Sequence, residues 1–180
     1  TFIYLSKMNT AKAVIKEEFL SQFGKHKIYF DGDVAELETQ DDQAPVKIIV
    51  STIDAMIYAF ANRDVMSYTR SDYYSELVYC FDIDRPKFEE DENVWTKVKF
   101  GPNTLIVVDE CQDLGEGYIE KFMKNLSTRG VSFYLMGDIL QSVVEQDNIF
   151  EYLRLGKHVT PAVPTTTPAV PTTTPAVPTT

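Results

Sequence analysis

Apolar positions in the first 155 residues alternate between short continuous runs and helical stripes. Phe2-Ile-Tyr-Leu5 is an apolar run of strand length, followed by a polar turn, Ser6 to Thr10, in which Thr10 is placed as a helix N-cap. Val14, Ile15, Phe19, Leu20 and Phe23 then form one stripe over a helix from Ala11 to Phe23, closed by Gly24. His26 to Phe30 reads as a second short strand, and Asp31-Gly32-Asp33 as a turn. Residues 34–45 are acidic and weakly patterned, which predicts a solvated loop. Val46 to Val50 is a strand feeding a helix over Ile53 to Ala61, with Ile53, Met56, Ile57 and Phe60 on one side.

The second half repeats this alternation. Leu105-Ile-Val-Val108 is a run without a polar residue, the pattern of a parallel strand covered on both faces. Tyr118, Ile119, Phe122, Met123 and Leu126 mark an amphipathic helix over Leu114 to Leu126. Lys121, Lys124 and Arg129 follow late in it, where cations complement the dipole, and Gly130 ends it. Val131 to Met136 is the next strand, and Val143 to Leu155 a full or broken helix. Strands alternating with helices predict an α/β fold around a parallel sheet. Between the halves, Tyr68, Tyr73, Tyr74, Leu77 and Val78 suggest a helix with an aromatic face, followed by an acidic stretch around Pro86 and by Trp95. Such aromatics can stack on bases, but at helical spacing they more often pack a core.

Candidate chemistry gathers where strands end. Asp109 and Glu110 follow the central strand directly, and ligands of open α/β sheets bind at that edge. An Asp there can hold Mg²⁺ while phosphates and water supply the remaining oxygens. A neighbouring Glu can orient or deprotonate an attacking water. The plainer alternative is a polar exit from a buried strand. Asp113, three residues before Glu116, has capping-box spacing.

Two runs carry a family resemblance. Val108-Asp-Glu-Cys-Gln-Asp113 resembles motif II (Walker B), and Gly137-Asp-Ile-Leu-Gln-Ser142 resembles motif III, of superfamily 1 helicases of the UvrD/Rep-like branch. The strand–turn–helix around Ser6, Asn9 and Thr10 resembles motif Ia, and the strand leading to Thr52 resembles the motif after it, although the family often has His where this chain has Asp54. The resemblance implies a P-loop NTPase (RecA-like) fold. It implies ATP and Mg²⁺ as cofactors, with Asp109 as the metal ligand, Glu110 activating the hydrolytic water and Gln141 sensing the γ-phosphate. Gln112, Asp113 and Asp138 would belong to the coupling network. Ser6, Asn9, Thr10 and Thr52 would contact single-stranded nucleic acid, DNA rather than RNA. For Ser6, Asn9 and Thr10 an ordinary capped turn is the competing expectation, and for Thr52 a helix N-cap. A second motor domain would be the partner within a longer parent chain.

The resemblance spans residues 1–158, with a small insertion at about 63–102. Residues 159–180 are a Pro/Thr-rich tail in which Thr-Pro-Ala-Val-Pro-Thr-Thr recurs three times from Thr160. Uncharged, without aromatics and rich in proline, it cannot build a core and is expected to be extended, as a linker, an O-glycosylated stalk or a reading-frame artefact.

Charge and composition pull against a nucleic-acid partner. The net charge is −10, whereas nucleic-acid-binding domains are usually basic; a translocating strand would have to be gripped by local groups in a cleft. No run matches the phosphate cradle G-x-x-x-x-G-K-[ST], since Gly24-Lys25-His26 and Gly156-Lys157-His158 lack the hydroxyl residue. The expectation is therefore a motor-domain fragment beginning just after that loop, which by itself binds ATP weakly and hydrolyses it negligibly. Two other classes stay open: a non-catalytic P-loop-like interaction module, and a nucleotide hydrolase unrelated to nucleic acid. The cysteines, Cys80 and Cys111, fit no metal-ligand pattern and suggest a reduced intracellular setting, cytoplasmic or nuclear. No run has the length of a membrane span. His26 and His158, without evident partners, are expected at the surface.

Overall fold

The computed structural model describes residues 1–39, 44–61, 77–85, 93–115 and 117–141. Expectations for Tyr68, Tyr73, Tyr74, Glu116, Ser142, the helix after Val143, His158 and the tail from 159 fall outside those residues, as does the side chain of Ile119.

Six strands form one mixed sheet: β1 (Phe2–Ser6), β2 (Ile28–Asp31), β3 (Val34–Leu37), β4 (Val46–Thr52), β5 (Leu105–Val108) and β6 (Ser132–Leu135). Their order is β2-β3-β4-β1-β5-β6. The four strands β4, β1, β5 and β6 are mutually parallel. The sheet is not wholly parallel as expected, because β2 and β3 extend it antiparallel from β4. The segment read as a loop thus contains a strand. Its acidic residue Glu36 is the exposed member of an alternation in which Ala35 is buried, and a run of four is too short for that period to stand out. Gly32 supplies the positive φ, 58°, that a two-residue hairpin needs at its first turn position.

Alternation divides the core into two layers. Ile3, Leu5, Ile49, Ile106 and Val108 face one side. There they meet α2 (Ile53–Ala59) and α3, a π-helical segment Tyr118–Met123 running into one α-turn, Lys124–Ser127. The i→i+5 turn brings residues four and five apart to one face, so Tyr118, Phe122 and Met123 are all buried. Edge-to-face contacts link Phe60 to Phe81, Phe81 to Phe122 and Phe122 to Phe133, with centroids 5.8, 5.4 and 6.0 Å apart. Each such pair contributes about 1 kcal/mol beyond its buried area. Leu77, Val78, Phe81, Trp95 and Val98, from the region read as an insertion, belong to this same layer.

Tyr4, Ile48, Val50 and Val107 face the other side, under α1 (Asn9–Phe23). This helix begins two residues before the expected Ala11. Met8 occupies the N-cap position without a side-chain bond, so Thr10 is an exposed residue inside the first turn and not the cap. Ile15, Phe19 and Leu20 pack on the sheet, whereas Val14 and Phe23 of the expected stripe are exposed. Gly24 and Gly130 do end their helices, at φ 79° and 81°. Among the described residues no helix is long and apolar enough to cross a membrane.

Candidate functional site at the carboxyl edge of the sheet

Parallel pairing aligns Ser6 with Thr52, Leu5 with Val108, and Val108 with Leu135. The chain therefore leaves β1, β4, β5 and β6 at one edge. The connection after β1 runs to α1 on one face, and those after β4 and β5 run to α2 and α3 on the other. Neighbouring strands whose connections depart to opposite faces open a crevice at their carboxyl ends, the usual ligand position in such sheets.

Asp109 stands at this opening. Its backbone N–H donates to Leu5 O at 2.8 Å, continuing the ladder to β1. Its Oδ1 accepts the N–H of Glu110 at 3.0 Å, and its Oδ2 accepts the phenol O–H of Tyr4. Glu110 takes the left-handed conformation, φ 54° and ψ 39°. A residue with a Cβ pays roughly 1–2 kcal/mol there, and the resulting turn brings its carboxylate back over Gln112. The Gln112 Nε2 donates to Glu110 Oε2 at 2.5 Å, and Gln112 Oε1 accepts the backbone N–H of Asp138 at 3.1 Å. Gln112 is buried, and it ties the end of β5 to the end of β6. A second tie is the N–H of Cys111 donating to Met136 O at 2.9 Å.

Gly137 makes this junction possible. A Cβ at that position would lie 2.2 Å from Gln112 Oε1 and 3.2 Å from the Cys111 nitrogen. Asp138 turns its carboxylate onto its own loop, accepting from Leu140 N–H at 2.9 Å and Gln141 Nε2 at 3.1 Å. Gln141 is exposed, and its described bond stays within that loop. Asp113 ends the 3₁₀ turn Cys111–Asp113, its N–H donating to Glu110 O at 3.1 Å. It does not cap the following helix, which starts at Tyr118, so the capping-box expectation is corrected.

The remaining predicted residues divide. Ser6 is buried and donates to Met8 O at 2.7 Å, closing the turn after β1. Asn9 and Thr10 are exposed at the start of α1. Thr52 caps α2, its hydroxyl accepting from Ala55 N–H at 3.2 Å, and it is largely buried. Asp54, in the first turn of α2, accepts from the Tyr118 hydroxyl at 3.0 Å and pairs with Lys7 at 3.5 Å; Lys7 also donates to Tyr118 at 3.1 Å.

Tyr4 and Lys7 were missed by sequence reasoning. A signal for Tyr4 existed, because a buried Tyr hydroxyl needs a partner, and strand parity puts position 4 on the face of Val107 and Asp109. Lys7 joins residues 47 and 111 positions away, which no local pattern reveals.

Burial raises the Cys111 thiol to about 11, with the negative charges of Asp109 and Glu110 adding to the effect. Burial, then the bond to Asp109 and the two carboxylate charges, push the Tyr4 phenol well above its ordinary value, so it keeps its proton. Among the described residues no three His, Cys, Asp or Glu side chains converge on a metal position. The donor set fits a hard cation such as Mg²⁺ bound mainly through water, since each Asp109 oxygen accepts one hydrogen bond and retains a lone pair. Hollows of about 410 Å³ beside Tyr29 and Glu36 and about 210 Å³ beside Phe19 and Phe23 lie away from this edge. No protein-family model, curated protein or solved structure matches the chain.

Proposed function

We propose that the chain is part of the first motor domain of an ATP-dependent nucleic-acid helicase or translocase of the UvrD/Rep-like kind, with a P-loop NTPase fold. The observation that carries this reading is the hydrogen-bonded chain from Asp109 through Glu110 and Gln112 to Asp138, at the carboxyl edge of four parallel strands. A motor needs such a link, because a change at the phosphate has to reach a neighbouring loop.

In this reading Asp109 holds Mg²⁺, which when bound neutralises phosphate charge. Glu110 orients or deprotonates the attacking water, Gln112 holds Glu110 in place, and Asp138 fixes Gln141 at the rim. Ser6 shapes the turn after β1, and the exposed Asn9 and Thr10 are the better candidates for single-stranded DNA. Thr52 serves first as a helix cap. ATP as the nucleotide is supported by the resemblance of residues 108–113 and 137–142 to motifs II and III.

The test is single-strand-stimulated ATP hydrolysis by the intact gene product. Glu110→Gln should lower it about 100-fold or more, the usual contribution of a positioned general base. Absence of stimulated hydrolysis, or indifference to Glu110→Gln, would overturn the proposal. The net charge of −10 favours a second reading, a non-catalytic interaction module. That reading predicts no nucleotide turnover, with or without single strands, in the same assay.

A further inference from the structure

We propose that Tyr4 is a positioning residue for Asp109: its hydroxyl, delivered from the neighbouring strand, holds the carboxylate in the orientation from which it takes up a divalent cation. The inference rests on the assignment of Asp109 as a cation ligand. It adds a residue that neither run of motif-like sequence contains.

Strand register carries the argument. Tyr4 pairs with Val107, and Asp109 lies two residues beyond Val107, on the same side of the sheet. Tyr4 is only 3% exposed, among Ile28, Ala35, Ile48, Val50 and Val107. Packing in that company needs a ring and no hydroxyl, so a phenylalanine would serve equally. The hydroxyl has a described partner, Asp109 Oδ2. The Glu110 N–H holds Oδ1, and the Asp109 N–H is fixed to Leu5 O. Donors from two directions therefore fix the carboxylate plane and leave one lone pair on each oxygen. A ligand oriented in this way loses less freedom when it meets the cation, and removing such a support typically costs tenfold or more in metal affinity.

Mn²⁺ alone is the probe, followed by paramagnetic resonance on the 180-residue chain. Asp109→Asn should abolish the tightest binding. Tyr4→Phe should keep the far-ultraviolet dichroism and weaken that binding about tenfold. It should also shift the carboxylate stretching band of the metal-free protein, which loss of packing would not move because the ring remains. In the Asp109→Asn background Tyr4→Phe should move neither. If Asp109→Asn binds Mn²⁺ as the wild type does, the cation site itself is wrong and the proposal goes with it. If Asp109→Asn loses binding while Tyr4→Phe keeps it, the positioning role alone is refuted. Should Tyr4→Phe fail to fold, the wild type still decides. Mn²⁺ must then perturb a tyrosine C–O band that stays still in Asp109→Asn, and a silent band overturns the proposal.

Discussion

Replacing Gly137 by alanine should break the link between the ends of β5 and β6, and the cost can be worked from the contacts. The new Cβ would fall 2.2 Å from Gln112 Oε1, 3.2 Å from the Cys111 nitrogen and 3.3 Å from its Sγ. The Cys111 backbone cannot retreat without losing its bond to Met136 O, so Gln112 must move. Moving it breaks an amide-to-carboxylate bond to Glu110 and an acceptor bond from Asp138 N–H. Such bonds contribute roughly 1.5–3 and 0.5–1.5 kcal/mol. Gly137 is outside the left-handed region, so alanine brings a compensating gain of about 0.4–1 kcal/mol from the unfolded chain. The net loss is about 2 kcal/mol. Urea unfolding of Gly137→Ala should show it as a lower midpoint with an unchanged slope. The decisive comparison is a double-mutant cycle with Gln112→Ala. With the side chain gone only the tight contacts at Cys111 remain, so most of the cost of Gly137→Ala should disappear, a coupling of up to about 2 kcal/mol. An equal cost in both backgrounds would refute the clash as its cause.

Two further outcomes are expected. Asp33 is pushed up by burial, but hydrogen bonds and charge from Lys12 and Lys16 outweigh that and hold its carboxyl below the ordinary value. Its contribution is complete above the ordinary aspartate range and is lost as pH falls through that range to the lowered folded value. Because these groups are partly solvated, Asp33→Asn should cost at most about 1 kcal/mol at pH 7 and less at pH 3, read by urea midpoints at both. Cys111, raised to about 11 and wholly buried, should resist a thiol reagent at pH 8 while the partly exposed Cys80 reacts. Its folded-state proton stabilises fully below the ordinary thiol range and progressively less as pH climbs towards 11, so equal labelling of both thiols in the native protein would contradict its placement.

Legibility in the sequence followed the length of the physical signal. The runs in β1, β4 and β5 are nearly uniform and announce buried strands, and Gly24 and Gly130 mark real helix ends. The position of Asp109 at the edge could be read because it directly follows such a run. β3 was hidden, since four residues with an exposed glutamate resemble a polar loop. The start of α1 was misplaced because Ser6 closes its turn through Met8 O, leaving Thr10 nothing to cap. Gln112 bonds to both Glu110 and Asp138, a placement that depends on Gly137 lacking a side chain 25 residues away. Tyr4 and Lys7 act across more than a hundred residues, and the folded structure is needed to name their partners.

That strand order also sets when the edge can exist during folding. The β2–β3 hairpin closes a two-residue loop, and β4 can join it from close by in the chain. The β1–β5 pair must close a loop of about a hundred residues, whose entropic cost is met before any contact repays it. A ribosome-bound chain could thus hold its antiparallel hairpin well before Asp109 has emerged, and Tyr4 would wait beside an empty seam. The carboxylate cluster is completed late, so an unfinished chain cannot present it.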